Sequence, residues 1–478
     1  MLDNETSYRA LRSRDPRFDG RLFVGVTSTG IYCRPVCPAP PAKKSNCRFF
    51  PSAAAAQEAG FRPCLRCRPE VVAELGSWLG TSNTVSRALS LIGQGELDEE
   101  GLEEFAERLG VGGRQLRRLF HQHLGASPVA VAQTRRVLFA KQLLHETQLP
   151  MAQVALAAGF GSVRRFNELF SKIFDRPPSA LRRTMKRSDQ RAGVTVQLRY
   201  RHPYDWDAML EFLSARAIDG VERVDANGYA RTVRHEGAVG TIEVTHRPKA
   251  HSLVVTIRFP RVKSLAALAG RVRRVFDLDA DVKIIGGHLA KDPLLAKLIS
   301  ARPGLRTPGA WDGFELAVRA ILGQQVTVTA ARQLAAKLVR CCGAESGDAE
   351  LPFLFPEPAE LLAADLRPLG MPQARKTALL SMAKAAIATP SLFDPLASVT
   401  ETVARLRTIP GVGEWTAQYI ALRAAREPDA FPASDVGLLR GAARGGKRPT
   451  PDQLLARAER WRPWRAYAAQ HLWTGATP

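Results

Sequence analysis

The sequence predicts a multidomain α+β protein. It has a small α/β domain built on four cysteines, an all-α domain of two tandem helix-turn-helix units, a second α/β domain, and an all-α domain around a helix-hairpin-helix. Three observations carry this reading. Cys33, Cys37, Cys64 and Cys67 fall into C-x3-C and C-x2-C pairs. A helical pattern recurs fifty positions later in the chain. The stretch from Leu406 to Arg440 turns on Pro410-Gly411-Val412-Gly413 between two segments of helical apolar spacing. At 478 residues and 45% hydrophobic content, the chain has room for three or four such cores. Lysine and arginine number 68 against 46 acidic residues, giving a formal charge of +22, so an anionic polymer is the natural partner. No apolar run is long enough for a membrane span, and Asp3, Glu5, Arg9 and Arg12 leave no apolar signal core. A cytoplasmic, nucleoid-associated protein is therefore expected.

The first domain is expected over residues 1–80. Its cysteines have the spacing by which four thiolates close a tetrahedral zinc site, and seven cysteines in a chain without a secretory signal argue for metal or thiol chemistry before disulfides. By spacing alone, a zinc site that only folds the domain is the commoner role. The flanking residues Ser28-Thr29-Gly30, IYCRPVC at 31–37 and GFRPCLRC at 60–67 resemble the N-terminal domain of the Ada methylphosphotriester repair family, over about residues 11–69. The resemblance implies that Cys33 is both zinc ligand and methyl acceptor, and that Thr29 and Arg62 touch DNA. Pro38 and Pro40 stand where that family carries arginines, and Lys43, Lys44 and Arg48 are nearby cations that fit the same need. Cys47 receives no role.

Residues 81–186 are expected to be helical. Leu116, Leu119, Phe120 and Pro128 recur as Phe166, Leu169, Phe170 and Pro178, so two copies of one unit stand in tandem. Leu109-Gly110-Val111 and Ala158-Gly159-Phe160 supply the turns, and the helices that follow present Arg114, Gln115, Arg117 and Arg118 in one copy and Arg164, Arg165 and Asn167 in the other. Charged helix faces are often only solvated, so the repeat carries the argument for groove reading. The stretch at 155–183 resembles the AraC-type regulators. That implies promoter DNA as a partner, with RNA polymerase recruited, through Arg114, Arg117, Arg164 and Arg165. Arg182, Arg183, Lys186, Arg187 and Arg191, with Ser188 and Gly193, read as a basic linker.

The third domain is expected over 193–285. VTVQLRY, VGTIEVTHR and LVVTIRF alternate as half-buried strands with helical segments between them. No chemistry-bearing motif appears there, so a structural role is expected.

The last domain is expected over 286–478. Gly411 and Gly413 permit a tight turn and close approach to another surface, and the helix opening at Glu414 aims unpaired N–H groups at an anion, which together make a phosphate clamp. Trp415 and Tyr419 lie four apart on one helical face, and Asp435 precedes a further helix. Taken alone, Asp435 fits a helix cap and the two aromatics fit a core. Joined to WDGFELAVRAILGQQVTV at 311–328, LGMPQARKTALL at 369–380 and HLW at 471–473, they resemble the helix-hairpin-helix DNA glycosylases, in the AlkA-like glycosylase II branch, from Val194 to the C-terminus.

That resemblance implies a DNA-3-methyladenine glycosylase acting on double-stranded DNA with alkylation damage. Asp435 would be its catalytic carboxylate, and Trp415, Tyr419 and Trp473 would line the pocket for a flipped-out base. Gln324 and Gln325 fall where the family inserts a wedge. The carbonyls of Arg407, Ile409 and Val412 fall where it binds a monovalent cation. Bifunctional relatives place a lysine at the Trp415 position, so the expected product is an intact abasic site. The Pro-Cys-His-Arg motif of alkylguanine methyltransferases is absent. The chain thus reads as a methylation sensor and transcription activator joined to an alkyl-base glycosylase. The alternative is a regulator whose glycosylase half only binds DNA, for which the hairpin suffices and Asp435 is superfluous.

Overall fold

A computed structural model describes residues 3–69, 83–99, 101–182, 193–396 and 398–475. Of the basic linker expected from Arg182 to Gly193, residues 183–192 lie outside these residues, as do the boundaries expected at residues 80 and 186. The chain forms two compact units, Met1–Tyr200 with Ser252–Gly270, and Arg201–His251 with Arg271–Pro478.

The first unit opens with a four-stranded sheet in the order Cys47–Phe50, Phe23–Val26, Ile31–Cys33, Arg62–Pro63. The first two pairings are antiparallel and the last is parallel. Phe23, Tyr32, Ala56 and Phe61 bury one face, with Ala56 supplied by the helix Ala53–Glu58 that Ser52 caps. Both helix-turn-helix copies are present. Leu102–Arg108 precedes Gly113–Leu124, and Met151–Ala157 precedes Val163–Phe174. Gly110 and Gly159 turn the two copies at φ +73° and +79°, where a side chain would be strained. Leu116, Phe120 and Leu124 bury the inner stripe of one second helix, and Phe166, Phe170 and Phe174 bury that of the other. The 19-residue helix Pro128–Glu146 follows the first copy, and its fully buried Lys141 donates from Nζ to the carbonyl of Cys64 at 3.2 Å. In the same unit Val194–Arg199 pairs antiparallel with Ser252–Arg258.

In the second unit Glu222–Asp225, Gly228–His235 and Ala238–Arg247 form an antiparallel meander. All three expected strands exist, but the segments between them differ from the expectation. Two further strands, Glu222–Asp225 and Gly228–His235, accompany the helix Trp206–Ser214, and only the short turn Pro248–Ala250 separates Ala238–Arg247 from Ser252–Arg258. Gly228–His235 is buried along most of its length, so its sequence shows no alternation to read. Its Arg231 lies inside and binds Glu315 at 2.7 Å, while Arg319 reaches both Glu315 and Glu222 at 2.6 Å. Burial pushes Glu315 up, but Arg231 and Arg319 outweigh it and hold its carboxyl at about 2. Removing one partner of such a group strands a buried charge, so these four side chains tie the meander firmly to the helix Gly313–Leu322. The remainder of the unit is mostly helical, and among the described residues no helix is long and apolar enough to cross a membrane.

Candidate functional site

The hairpin joins the helices Val399–Arg407 and Glu414–Arg423. Ile409 and Val412 are buried and anchor the turn, whereas Gly411 and Gly413 face solvent. Gly411 sits at φ +86°, and a Cβ there would lie 2.3 Å from that of Ala378, so the turn packs against the helix Gln373–Ala388. Gly413 is at φ −83°, and a Cβ there would meet no protein atom within 4 Å. The carbonyl of Ile409 accepts from the Val412 amide at 3.0 Å, and Arg407 closes the first helix.

Asp435 caps the helix Val436–Gly441, its Oδ1 accepting from the Leu438 amide at 3.0 Å. A cap requires no more than this. Two indoles also converge on the same carboxylate, Trp415 Nε1 donating to Oδ2 at 2.7 Å and Trp473 Nε1 to Oδ1 at 2.8 Å. Trp415 and Tyr419 stack at 5.4 Å between ring centroids and 11° between planes, and Trp473 meets Tyr419 edge-on at 6.3 Å. These side chains face a cavity of about 600 Å³ that Phe212 and Arg423 also line.

Sequence reasoning missed part of this wall. Phe212, from the helix Trp206–Ser214, and Arg216, just beyond it, line the cavity, which the expectation of a purely structural role for this region did not include. The available signal was the breadth of that helix's apolar face, where Trp206, Ala208, Met209, Phe212 and Leu213 cover more than one packing partner needs. Arg423 was also missed. It is buried, donates to the carbonyl of Pro308 at 2.8 Å and to Gln470 Oε1 at 2.9 Å, and lies 4.6 Å from the Phe212 ring centroid and 5.1 Å from that of Trp473. Burial lowers Arg423 to about 10. It also pushes the Tyr419 phenol up, but the charges of Arg423 and Arg216 prevail and hold that hydroxyl below the usual phenol range.

Gln324 and Gln325 part company. Gln325 is exposed at φ +58°, at the tip of the turn before the helix Val328–Cys342. Gln324 is half-buried, and its Nε2 donates to the Gly411 carbonyl at 3.0 Å and to Thr416 Oγ1 at 3.1 Å.

His471, between Gln470 and Trp473, is buried, and loss of solvation lowers its imidazole to about 4. The folded protein thus excludes a proton that the unfolded chain accepts near pH 6.5. Stability is therefore expected to fall as pH drops from about 6.5 toward about 4, by about 2 kcal/mol at pH 5. Urea unfolding at pH 7 and pH 5 measures this, and His471→Gln should flatten the dependence. An unchanged slope in the variant would show that other groups dominate.

In the first unit, the Sγ atoms of Cys33, Cys37, Cys64 and Cys67 all lie within 4.8 Å of one another. A tetrahedral zinc site with bonds of about 2.3 Å sets its sulfurs roughly 3.8 Å apart, so the four thiols fit one ion with small adjustments. Three are buried and Cys33, ending the strand Ile31–Cys33, is half-exposed. Arg34 supports the cluster by pairing with Asp19, donating from its guanidinium to the Cys67 carbonyl at 2.9 Å and from its amide to Cys67 Sγ at 3.4 Å. Cys47 stands outside it; burial raises its thiol, which donates to the Lys43 carbonyl at 3.3 Å.

Thr29 is exposed on the turn before Cys33's strand, and Arg62 lies beside it, its amide donating to the Gly30 carbonyl at 2.8 Å. Lys43, Lys44 and Arg48 are exposed, with Lys44 paired to Glu5. Arg114, Arg117, Arg164 and Arg165 are exposed on the two second helices of the helix-turn-helix copies. Arg117 pairs with Glu103 at 3.1 Å and Arg164 with Glu168 at 2.8 Å, exposed contacts of little net worth that a phosphate can displace.

Four family models match the chain in succession. They are the metal binding domain of Ada over residues 6–70, a helix-turn-helix domain over 105–184, the AlkA N-terminal domain over 195–312, and the HhH-GPD superfamily base excision DNA repair protein over 318–466. The chain is 40% identical over 481 residues to the "Probable bifunctional transcriptional activator/DNA repair enzyme AlkA" of Mycobacterium tuberculosis, covering 99% of this chain and 96% of that one. It is 38% identical over 279 residues to DNA-3-methyladenine glycosylase 2 of Escherichia coli, covering 58% of this chain and 95% of that one. The solved 3-methyladenine DNA-glycosylase of Archaeoglobus fulgidus superposes with a TM-score of 0.53 at 21% identity, over 58% of this chain and 96% of that one, and shares the fold. Unbroken similarity from one end to the other, through a metal-binding, a helix-turn-helix and a glycosylase part, makes this chain a member of the bifunctional Ada/AlkA family of transcriptional activators and DNA repair glycosylases.

Proposed function

We propose that the glycosylase half excises alkylated bases such as 3-methyladenine by a monofunctional mechanism, and that the other half accepts a methyl group from a DNA methylphosphotriester on Cys33 and thereby activates transcription. The convergence of two indole N–H groups and a helix N-terminus on Asp435, beside an aromatic cavity, is the observation that carries the glycosylase reading. An N-alkylated purine is cationic while attached to the sugar, and the stacked Trp415–Tyr419 pair offers it an electron-rich face. The C1′–N bond breaks with its electron pair leaving on the base, which becomes neutral without a general acid. Asp435, held in place by Trp415 and Trp473, stabilises the positive charge left on the sugar and orients the water that forms the C1′–O bond, its proton passing to solvent. No amine stands at position 415, so no Schiff base forms and the strand stays intact.

On the other half, the half-exposed position of Cys33 among buried ligands supports its role as acceptor. Zinc held by the four thiolates would keep Cys33 ionised at neutral pH. The sulfur attacks the methyl carbon, the S–C bond forms as the C–O bond breaks, and the phosphodiester leaves with the electron pair. Thr29 and Arg62 then sit at the backbone, Arg114, Arg117, Arg164 and Arg165 read promoter DNA, and RNA polymerase is recruited. Four functional parts at 1–80, 81–186, 193–285 and 286–478 suit this division of labour.

The hairpin serves as phosphate clamp, with a monovalent cation taken by the carbonyls of Arg407, Ile409 and Val412. Gly413→Ala, which meets no protein atom, is expected to fold normally and to weaken binding to unrelated duplexes by the same factor of a few. Titration of two sequences, with thermal unfolding alongside, checks this, and a sequence-selective loss would argue against a clamp. Gly411→Ala is the poorer probe, because the left-handed backbone and the Ala378 contact add a folding cost. The whole reading is tested by incubating the protein with methylated duplex DNA and measuring released bases, abasic sites and nicks. Free 3-methyladenine with unnicked abasic DNA is the expected result. Binding without release would favour a regulator whose glycosylase half only binds.

A further inference from the structure

Three stretches, 311–328, 369–380 and the hairpin with its following helix, are separate in the chain and meet at one residue. Gln324 lies in the turn that follows the first stretch's helix, Gly313–Leu322. Its side-chain Nε2 donates to the Gly411 carbonyl at 3.0 Å and to Thr416 Oγ1 at 3.1 Å, and its backbone carbonyl accepts from Arg375 Nη2 at 2.6 Å. Thr416 is buried and adjoins Trp415, which holds Asp435. Gly411 is the tip of the clamp and packs on Ala378, one turn along the helix from Arg375.

We propose that Gln324 is a positioning residue that locks the exposed Gln325 turn, the phosphate-clamping hairpin and the Trp415–Asp435 pair into one rigid piece. The inference rests on the glycosylase reading above and assigns Gln324 a role distinct from insertion into DNA. The chemistry selects an amide. The Gly411 carbonyl can only accept and so needs a donor, and the second N–H of the same NH2 group reaches the Thr416 hydroxyl. A carboxylate at this position would face the Gly411 carbonyl oxygen with no proton to share. Gln325, whose side chain is exposed and whose backbone is held in the left-handed region, is left as the group that enters the gap beside a displaced base.

With Gln324 in place, clamping the backbone at Gly411 fixes where the Gln325 turn and the carboxylate stand relative to the target nucleotide. Without it, the clamp still grips DNA, but its grip no longer dictates the geometry of the reacting sugar. A small misplacement at the reacting centre costs rate more than affinity. Losing Gln324 should therefore lower the rate of the bound complex while leaving ground-state binding nearly unchanged.

The test uses the full-length protein in single-turnover excision on methylated duplex DNA, with duplex affinity and thermal unfolding measured in parallel. Gln324→Ala is expected to slow excision about tenfold or more while changing affinity less than about threefold. Gln324→Glu should be at least as slow. Because the amide acts through Thr416, Thr416→Val combined with Gln324→Ala should lose much less than the product of the two single losses. Gln324→Ala that excises at the wild-type rate, Gln324→Glu that retains it, or strictly multiplicative losses in the double variant would overturn the proposal while wild-type excision leaves the glycosylase reading standing. A variant that loses rate and affinity in equal proportion, or only as it loses folded protein, counts against positioning as well. Wild-type protein that releases no base would remove the reading and the inference together.

Discussion

Asp435→Asn is expected to lower single-turnover release of 3-methyladenine by two to three orders of magnitude, about 3 to 4 kcal/mol of transition-state stabilisation, with duplex affinity preserved. The substitution is nearly isosteric, so the stacking of Trp415 and Tyr419 and the hairpin are left as they are. What changes is charge and hydrogen-bond polarity. The carboxylate accepts from the Trp415 indole, the Trp473 indole and the Leu438 amide, whereas an asparagine offers a single acceptor oxygen and presents N–H groups to one of these donors. The cap survives if the remaining oxygen faces Leu438, so the stability cost should be about 1 kcal/mol. The kinetic loss should far exceed it, because the negative charge acts mainly when the sugar becomes cationic. Base release at the wild-type rate would reduce Asp435 to a cap and leave the cavity without a catalyst.

The features legible in the sequence were those whose physical cause is local. Four thiols must be close in sequence pairs to share one ion, and the spacing of Cys33, Cys37, Cys64 and Cys67 states that directly. A hairpin between two short helices needs glycine at a left-handed position, and Gly411 marks it. The repeat of Leu116 and Phe120 as Phe166 and Phe170 follows from helical period alone, and both pairs are buried. Features set by partners distant in the chain were not legible. Arg231 looks like an ordinary strand cation until Glu315, 84 residues away, is placed against it. Gln324 and Gln325 read as equivalent neighbours, and only the hairpin folding back over residue 324 separates a braced amide from a free one. Phe212 and Arg423 line one cavity from distant parts of the second unit's sequence.

For the methyl acceptor, the expected result is loss of all labelled methyl uptake from methylphosphotriester DNA in Cys33→Ser, with uptake kept in Cys47→Ser, whose thiol lies outside the cluster. Transfer should stop at one methyl group per chain, because the neutral thioether it forms is no longer a thiolate nucleophile. Charge gives the transfer a second consequence. Four thiolates with one divalent metal carry about −2, and converting Cys33 to a thioether leaves about −1. If Thr29 and Arg62, which flank Cys33's strand, meet the DNA backbone as proposed, the relieved repulsion would act within a few ångströms of a docked phosphate. Promoter affinity should therefore rise on methylation by about 1 to 3 kcal/mol, on the order of 5- to 150-fold, and by more at low salt than at high. Titration of promoter DNA before and after transfer, at two salt concentrations, measures the change. Uptake on Cys64 in place of Cys33 would move the acceptor to a buried ligand and contradict the role of exposure. Equal affinity before and after transfer would separate methyl acceptance from transcriptional control. A rise that ignores salt would point to a structural rearrangement in place of relieved repulsion as its cause.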